Sequence, residues 1–165
     1  MRQAAGARGS ARERRRTTID QLLAEARNTL PPRPSPPEAA AALIDGALLI
    51  DIREDDQRRR DGLIPGATVM PRNALEWRCD PASEWRHPAI HDHDQRLILL
   101  CNEGFQSSLA AATLQRLGLH RATDMAGGFI AWREAGLPVE PFSPARRPAR
   151  TARRSPARRS DMGGG

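Results

Sequence analysis

Cys101 opens a short loop, Asn102-Glu103-Gly104-Phe105-Gln106-Ser107, with a glycine in its middle. Before it lies Arg96-Leu97-Ile98-Leu99-Leu100, an apolar run too short for a helix and suited to a buried strand. After it, Leu109, Ala112 and Thr113 recur on one side of a helix that Ser107 or Ser108 could cap. A strand that ends in cysteine and turns at once into a helix aims the sulfur at the helix N-terminus. Free backbone N–H groups and the macrodipole favour negative charge there. The same setting lowers a thiol's pKa and makes it a nucleophile. Cys101 is therefore the candidate catalytic residue.

The flanking sequence must build the frame that holds this loop. Ser35-Pro36-Pro37-Glu38 is a helix start, with a capping serine, proline in the first turn and an acid at the positive end of the dipole. Residues 47–53 read as a buried strand with charges at its carboxyl end, where open parallel sheets gather their ligands. Asp51, Arg53 and Glu54 either rim the site there or make salt bridges that hold the next loop. Residues 57–62 form a charged loop or helical turn, and Ile64-Pro65-Gly66-Ala67 turns into a short strand, Thr68-Val69-Met70. Residues 71–95 predict helical turns around two partly buried tryptophans, Trp77 and Trp85. Past the central loop, Leu117-Gly118 ends the helix and residues 121–125 form another strand. Phe129, Trp132 and Ala135 mark one face of a helix that follows Gly127-Gly128. Strands alternating with helices define the α/β class, with a mostly parallel central sheet flanked by helices.

The chain has 165 residues and a net charge of +6, unevenly spread: +5 over residues 1–35, −5 over 36–140 and +6 over 141–165. This divides it into a disordered Arg-rich arm (1–16), a short amphipathic helix with a Pro-rich linker (17–34), one domain (35–142) and a disordered Arg/Pro-rich tail (143–165). The helix, about residues 19–28 behind a Thr17/Thr18 cap, carries Ile19, Leu22, Leu23 and Ala26 on one face and can pack on its own domain or on a partner. Nucleic acid would meet only the tails, non-specifically, because the acidic middle with few aromatics offers no base-reading surface. Two cysteines without CxxC spacing are too few for a disulfide scaffold and suit a reducing cytoplasm. Cys79 has no helix start or basic cluster of its own and is a bystander. His91-Asp92-His93-Asp94 has the composition of a metal tract, but four neighbours on a polar loop without a third His or a Cys read as a solvated turn, so no metal is expected. No apolar run approaches the ~20 residues of a membrane span, and no secretory h-region is present.

Four stretches, in this order, resemble the rhodanese homology domain. They are Leu49-Ile50-Asp51-Ile52-Arg53-Glu54, Ile64-Pro65-Gly66-Ala67, the Cys101 loop, and Gly127-Gly128-Phe129-Ile130-Ala131-Trp132-Arg133-Glu134-Ala135-Gly136-Leu137-Pro138-Val139. The resemblance covers roughly residues 36–140 and implies a rhodanese-like fold and a sulfurtransferase. In that family the loop cysteine takes a sulfane sulfur from a small donor, thiosulfate or a persulfide. It then passes the sulfur to a thiol or other thiophilic acceptor. Mapped here, Cys101 carries the persulfide and backbone N–H groups from about Asn102 to Ser107 cradle its outer sulfur. No metal or organic cofactor is required.

Three departures bear on activity. The family's loop commonly reads Cys-x-x-Gly-x-Arg-Ser/Thr, and Gln106 stands where the arginine belongs. A charge-assisted hydrogen bond contributes roughly 1.5–3 kcal/mol against ~1 for a neutral one, so binding of a small dianion should weaken on the order of tenfold. Glu103 adds a negative charge to the loop, and Leu63 replaces the histidine that often precedes the Ile-Pro-Gly-Ala turn. A poor thiosulfate:cyanide enzyme is expected, with a low-charge persulfide or a protein as donor. The alternative is a catalytically weak interaction or sulfur-sensing module. A phosphatase with Cys-x5-Arg spacing would need arginine at position 107, which is serine.

Overall fold

Ile50, Ile52, Leu97 and Leu99 are buried on one side of a sheet, and Leu49, Ile98 and Leu100 on the other. This period-two split makes the layers. The structure is a computed structural model in which residues 16–143 are described. Four strands, β1 (Leu48–Asp51), β2 (Thr68–Val69), β3 (Leu97–Leu100) and β4 (Ala122–Asp124), form a parallel sheet in the order β2-β1-β3-β4. The central pair, β1 and β3, is almost continuously apolar because both faces of a parallel sheet are covered. An antiparallel bridge between Leu63 and Glu140 adds the one non-parallel pairing among the described residues.

Helices α4 (Leu75–Cys79) and α5 (Gln106–Arg116) cover one face, packing Leu75, Ala110, Ala111 and Leu114 against it. Helices α2 (Pro36–Ile44) and α6 (Gly128–Glu134) cover the other with Ala39, Ala42, Phe129 and Trp132. Glu38 in the first turn of α2 accepts from Ser35 N–H and Oγ, both at 2.7 Å, and these bonds hold its carboxyl below the usual range. Helix α1 (Ile19–Thr29) starts with a reciprocal cap: Gln21 N–H donates to Thr18 Oγ1 at 3.2 Å and Thr18 N–H to Gln21 Oε1 at 3.0 Å. The sequence leaves its docking site open, and in the structure it lies along α5.

Several local expectations are corrected. Residues 57–61, expected as a loop or helical turn, belong to a helix, α3 (Asp55–Asp61), which Gly62 ends; Asp55 and Asp56 lie in its first turn and Arg58, Arg59 and Arg60 in its last, as the dipole favours. Trp77 and Trp85 are 59% and 55% exposed rather than partly buried. In a five-residue helix, Leu75 and Cys79 share the inward side at i, i+4, which turns Trp77 outward. The buried face of α5 comprises Ser107, Ser108, Ala110, Ala111 and Leu114, while Leu109, Ala112 and Thr113 flank it half-buried. Small alanines let this helix approach the sheet closely. Ala135 is exposed, since α6 ends one residue before it.

Cys79 is fully buried, and burial pushes its thiol up to about 12. The polar turn at 91–94 does not converge on a point: Asp94 Oδ1 meets His120 Nε2 at 2.9 Å and Asp92 Oδ1 accepts Asp94 N–H at 2.8 Å. Among the described residues no three His, Cys, Asp or Glu gather as ligands, and no helix is long and apolar enough to cross a membrane. The arm expected over 1–16 and the tail over 143–165 lie outside the described residues except for Arg16 and Ser143.

Candidate active site

The sulfur of Cys101 sits where β3 gives way to α5, 8% exposed at residue level. It accepts from Gly104 N–H at 3.2 Å and Ser107 N–H at 3.4 Å, and lies 3.3 Å from Ser107 Oγ. These are the two loop amides that reach it; among the described residues no hydrogen bond comes from Asn102, Glu103, Phe105 or Gln106 to the sulfur. A pair of converging N–H groups favours a negatively charged sulfur over a neutral one.

Ser107 and Ser108 do not cap α5 from outside, because the helix begins at Gln106 with Phe105 at the cap position. Both serines stand in the first turn, buried, and both donate to Asp124 Oδ2 at 2.9 Å. Asp124, fully buried at the carboxyl end of β4, is what draws their hydroxyls inward.

Beneath the loop lies the N-terminus of α6. Phe129 N–H donates to the Cys101 carbonyl at 2.9 Å and Ile130 N–H to the Asn102 carbonyl at 3.0 Å. Two free amides of a helix start are thereby satisfied by the carbonyls of the nucleophile itself and of the residue after it.

Asp51 and Arg53 form a buried pair, with Nη2 on Oδ2 at 2.7 Å and Nε on Oδ1 at 3.0 Å. The guanidinium also donates to the Gly62 carbonyl at 2.9 Å and stacks 3.7 Å from the centre of the Phe129 ring. Of the three suggested rim residues, Arg53 and Glu54 line the cleft in front of Cys101 and Asp51 does not. The salt bridge joins Asp51 to Arg53, and the rim position holds for Arg53 and Glu54. Glu54, Glu103, Phe105 and Gln106 share that cleft, and Phe105 is 53% exposed at its mouth.

Sequence reasoning missed four residues. Arg72 lines the cleft, paired with Glu76 at 2.8 Å, and nothing in its surroundings in the sequence marks it. Asp124 could have been flagged as an acid at the end of an apolar parallel strand. Arg27 and Arg33 lie in a helix and a linker with no local signal, yet both reach the loop at the Gly104 carbonyl, at 2.8 and 3.2 Å. Among the described residues, Arg53 Nη1, Arg72 Nε and Asn102 Oδ1 are buried without a hydrogen-bond partner, two donors and an acceptor around one cleft.

The sequence model of the rhodanese-like domain matches residues 35–135. A sulfurtransferase from Allochromatium vinosum is 30% identical over 95 residues, covering 58% of this chain and 79% of that protein. The thiosulfate sulfurtransferase GlpE of Stutzerimonas stutzeri is 33% identical over 99 residues, covering 59% and 82%. A solved structure from Rhodopseudomonas palustris, of a protein of unknown function described as a possible tyrosine phosphatase, superposes with a TM-score of 0.68 at 35% identity. It covers 75% of this chain and 95% of that one.

Proposed function

Because the chain belongs to the rhodanese-like domain family, we propose that it transfers sulfane sulfur, with Cys101 as the carrier. The observation that carries this reading is the sulfur held by the amides of Gly104 and Ser107 at the edge of an open cleft that Arg53 and Arg72 also line. In the first half-reaction the Cys101 thiolate attacks the outer sulfur of the donor. A Cys–S–S bond forms, the donor's S–S bond breaks, and its electron pair leaves with the donor remnant: sulfite from thiosulfate, a thiolate from a persulfide. In the second, an acceptor thiolate attacks the outer sulfur of the enzyme persulfide and the electron pair returns to Cys101. The enzyme's negative charge is on the Cys101 sulfur in the thiolate and on the outer sulfur in the persulfide, so donors that converge at this loop favour both states. Two free thiols suit a reducing cytoplasm. The phosphatase description belongs to the Rhodopseudomonas protein and is not carried over, since Ser107 occupies the place of a dianion-clamping arginine.

The test is intact-mass and peptide mass spectrometry after incubation with thiosulfate, a low-molecular-weight persulfide and a protein persulfide. One extra sulfur on the Cys101 peptide, removed by an added thiol, is expected from at least one donor. No gain from any donor ends the reading and leaves the interaction-module alternative.

Gln106 is exposed and lines the cleft, where Arg53 and Arg72 are the cations. Gln106→Arg should raise kcat/KM for thiosulfate by about tenfold and change turnover of a neutral-bodied persulfide much less. Equal effects on both donors would refute the charge argument.

A further inference from the structure

Residues 18–34 lie outside the family match, yet their side chains run into the back of the Cys101 loop. The linker follows β4, an edge strand: Thr123 Oγ1 donates to the Pro31 carbonyl at 3.2 Å and Ala126 N–H to the Pro34 carbonyl at 2.9 Å. From this strap Arg33 grips Asp124 with both arms of its fork, Nε on Oδ1 at 2.7 Å and Nη2 on Oδ2 at 3.0 Å. Arg27, on α1, donates to Ser108 Oγ at 3.1 Å and to the Gly104 carbonyl that Arg33 also reaches.

Asp124 is the junction of this network. Its Oδ2 takes the hydroxyls of Ser107 and Ser108, and Ser107 Oγ by itself bridges that carboxylate and the sulfur. A hydroxyl has one hydrogen to give. While Cys101 is a thiol, its S–H can donate to Ser107 Oγ and Ser107 can donate to Asp124. Once the sulfur is charged, as a thiolate, it competes with Asp124 for the Ser107 hydrogen. An uncompensated buried carboxylate would keep that hydrogen and would repel the charged sulfur as well. The Arg33 fork neutralises the carboxylate and satisfies both of its oxygens, which loosens its hold on Ser107.

Resting on the sulfur-transfer reading above, we propose that Arg33 is a positioning residue of the active site, with Arg27 fixing the Gly104 carbonyl beside it. Arg33 cancels the charge of Asp124 so that the Ser107 hydroxyl can turn to a charged Cys101 sulfur. The N-terminal segment thus supplies behind the loop a cation that Gln106 does not supply in front of it. The other charged groups near the sulfur are Arg53, Glu54 and Arg72 across the cleft and Glu103 in the loop. None of them bonds to Asp124 or Ser107 among the described residues, so the variants below leave them in place.

The experiment is the rate of Cys101 alkylation by iodoacetamide against pH, mapped by peptide mass, which needs no sulfur donor. Arg33→Ala should move the midpoint up by about one pH unit and slow alkylation roughly tenfold on the acid side of the curve. Arg33→Lys should recover part of the shift, since an ammonium restores the charge without the fork. A folded Arg33→Ala protein with the unaltered profile overturns the proposal. Where Arg33→Ala does not fold, Asp124→Asn is compared with Arg33→Ala/Asp124→Asn. With no charge at position 124, the two profiles should coincide, and a clear difference between them also overturns it. A protein that never takes up sulfur yet shows these shifts ends the transfer reading and keeps this one.

Discussion

If Cys101 is the sulfur carrier proposed above, Cys101→Ser should abolish sulfur transfer, by on the order of a thousandfold or more, while the protein stays folded. An oxygen at this position keeps the same partners, the N–H groups of Gly104 and Ser107 and the Ser107 hydroxyl, so stability should change by about 1 kcal/mol or less. The chemistry is lost for a different reason. A hydroxyl is not ionised near neutral pH, even beside two amides, and an oxygen that did attack would form no persulfide to pass on. Cys79 cannot take over, because it is fully buried and its thiol is pushed up to about 12 by that burial. The measurement is steady-state transfer with the best donor, alongside thermal unfolding of both proteins. Transfer that survives in Cys101→Ser at more than a small residue would move the carrier role elsewhere and undo the mechanism.

The parts of this molecule that were legible in the sequence are those encoded locally. The alternation of β1 and β3 reads as buried parallel strand because neighbouring side chains must go to opposite faces, and both faces are apolar. The cap at Thr18 and the serine-proline start of α2 read directly from residue type and spacing. The placement of Cys101 between β3 and α5 was legible because an apolar strand followed at once by a helix start leaves it that position. What was not legible depends on distance in the chain. Ser107 and Ser108 look like capping residues until Asp124, 17 and 16 positions later, claims their hydroxyls. Arg33 looks like part of a proline linker until β4, 91 residues away, presents a buried carboxylate to it. Trp77 looks like core until the short helix that bears it gives its inward side to Leu75 and Cys79. In each case the local pattern is satisfied by two arrangements, and a partner contributed by another element decides between them.

Gly128→Ala should be the most damaging single-methyl change in the domain, and Gly136→Ala gives the control that shows why. Both glycines have positive φ, +61° and +68°, where alanine pays a conformational cost of about 1–2 kcal/mol. At Gly136 a Cβ meets nothing within 4 Å, so that cost is the whole effect. At Gly128 a Cβ would stand 2.5 Å from the Cys101 carbonyl oxygen and 2.7 Å from both the Asn102 carbonyl oxygen and Gly104 N. All three are backbone atoms, which cannot swing aside as the end of a side chain can. Either α6 lifts, stretching the bonds from Phe129 N–H and Ile130 N–H, or the loop moves and takes Gly104 N–H away from the sulfur. The expected loss is about 3 kcal/mol or more against about 1–2 for Gly136→Ala, together with a fall in sulfur transfer that Gly136→Ala does not share. Chemical denaturation and donor turnover of the two variants decide it. Equal destabilisation would mean that backbone conformation alone sets the glycine requirement, and that the contact between α6 and the Cys101 loop gives way without cost.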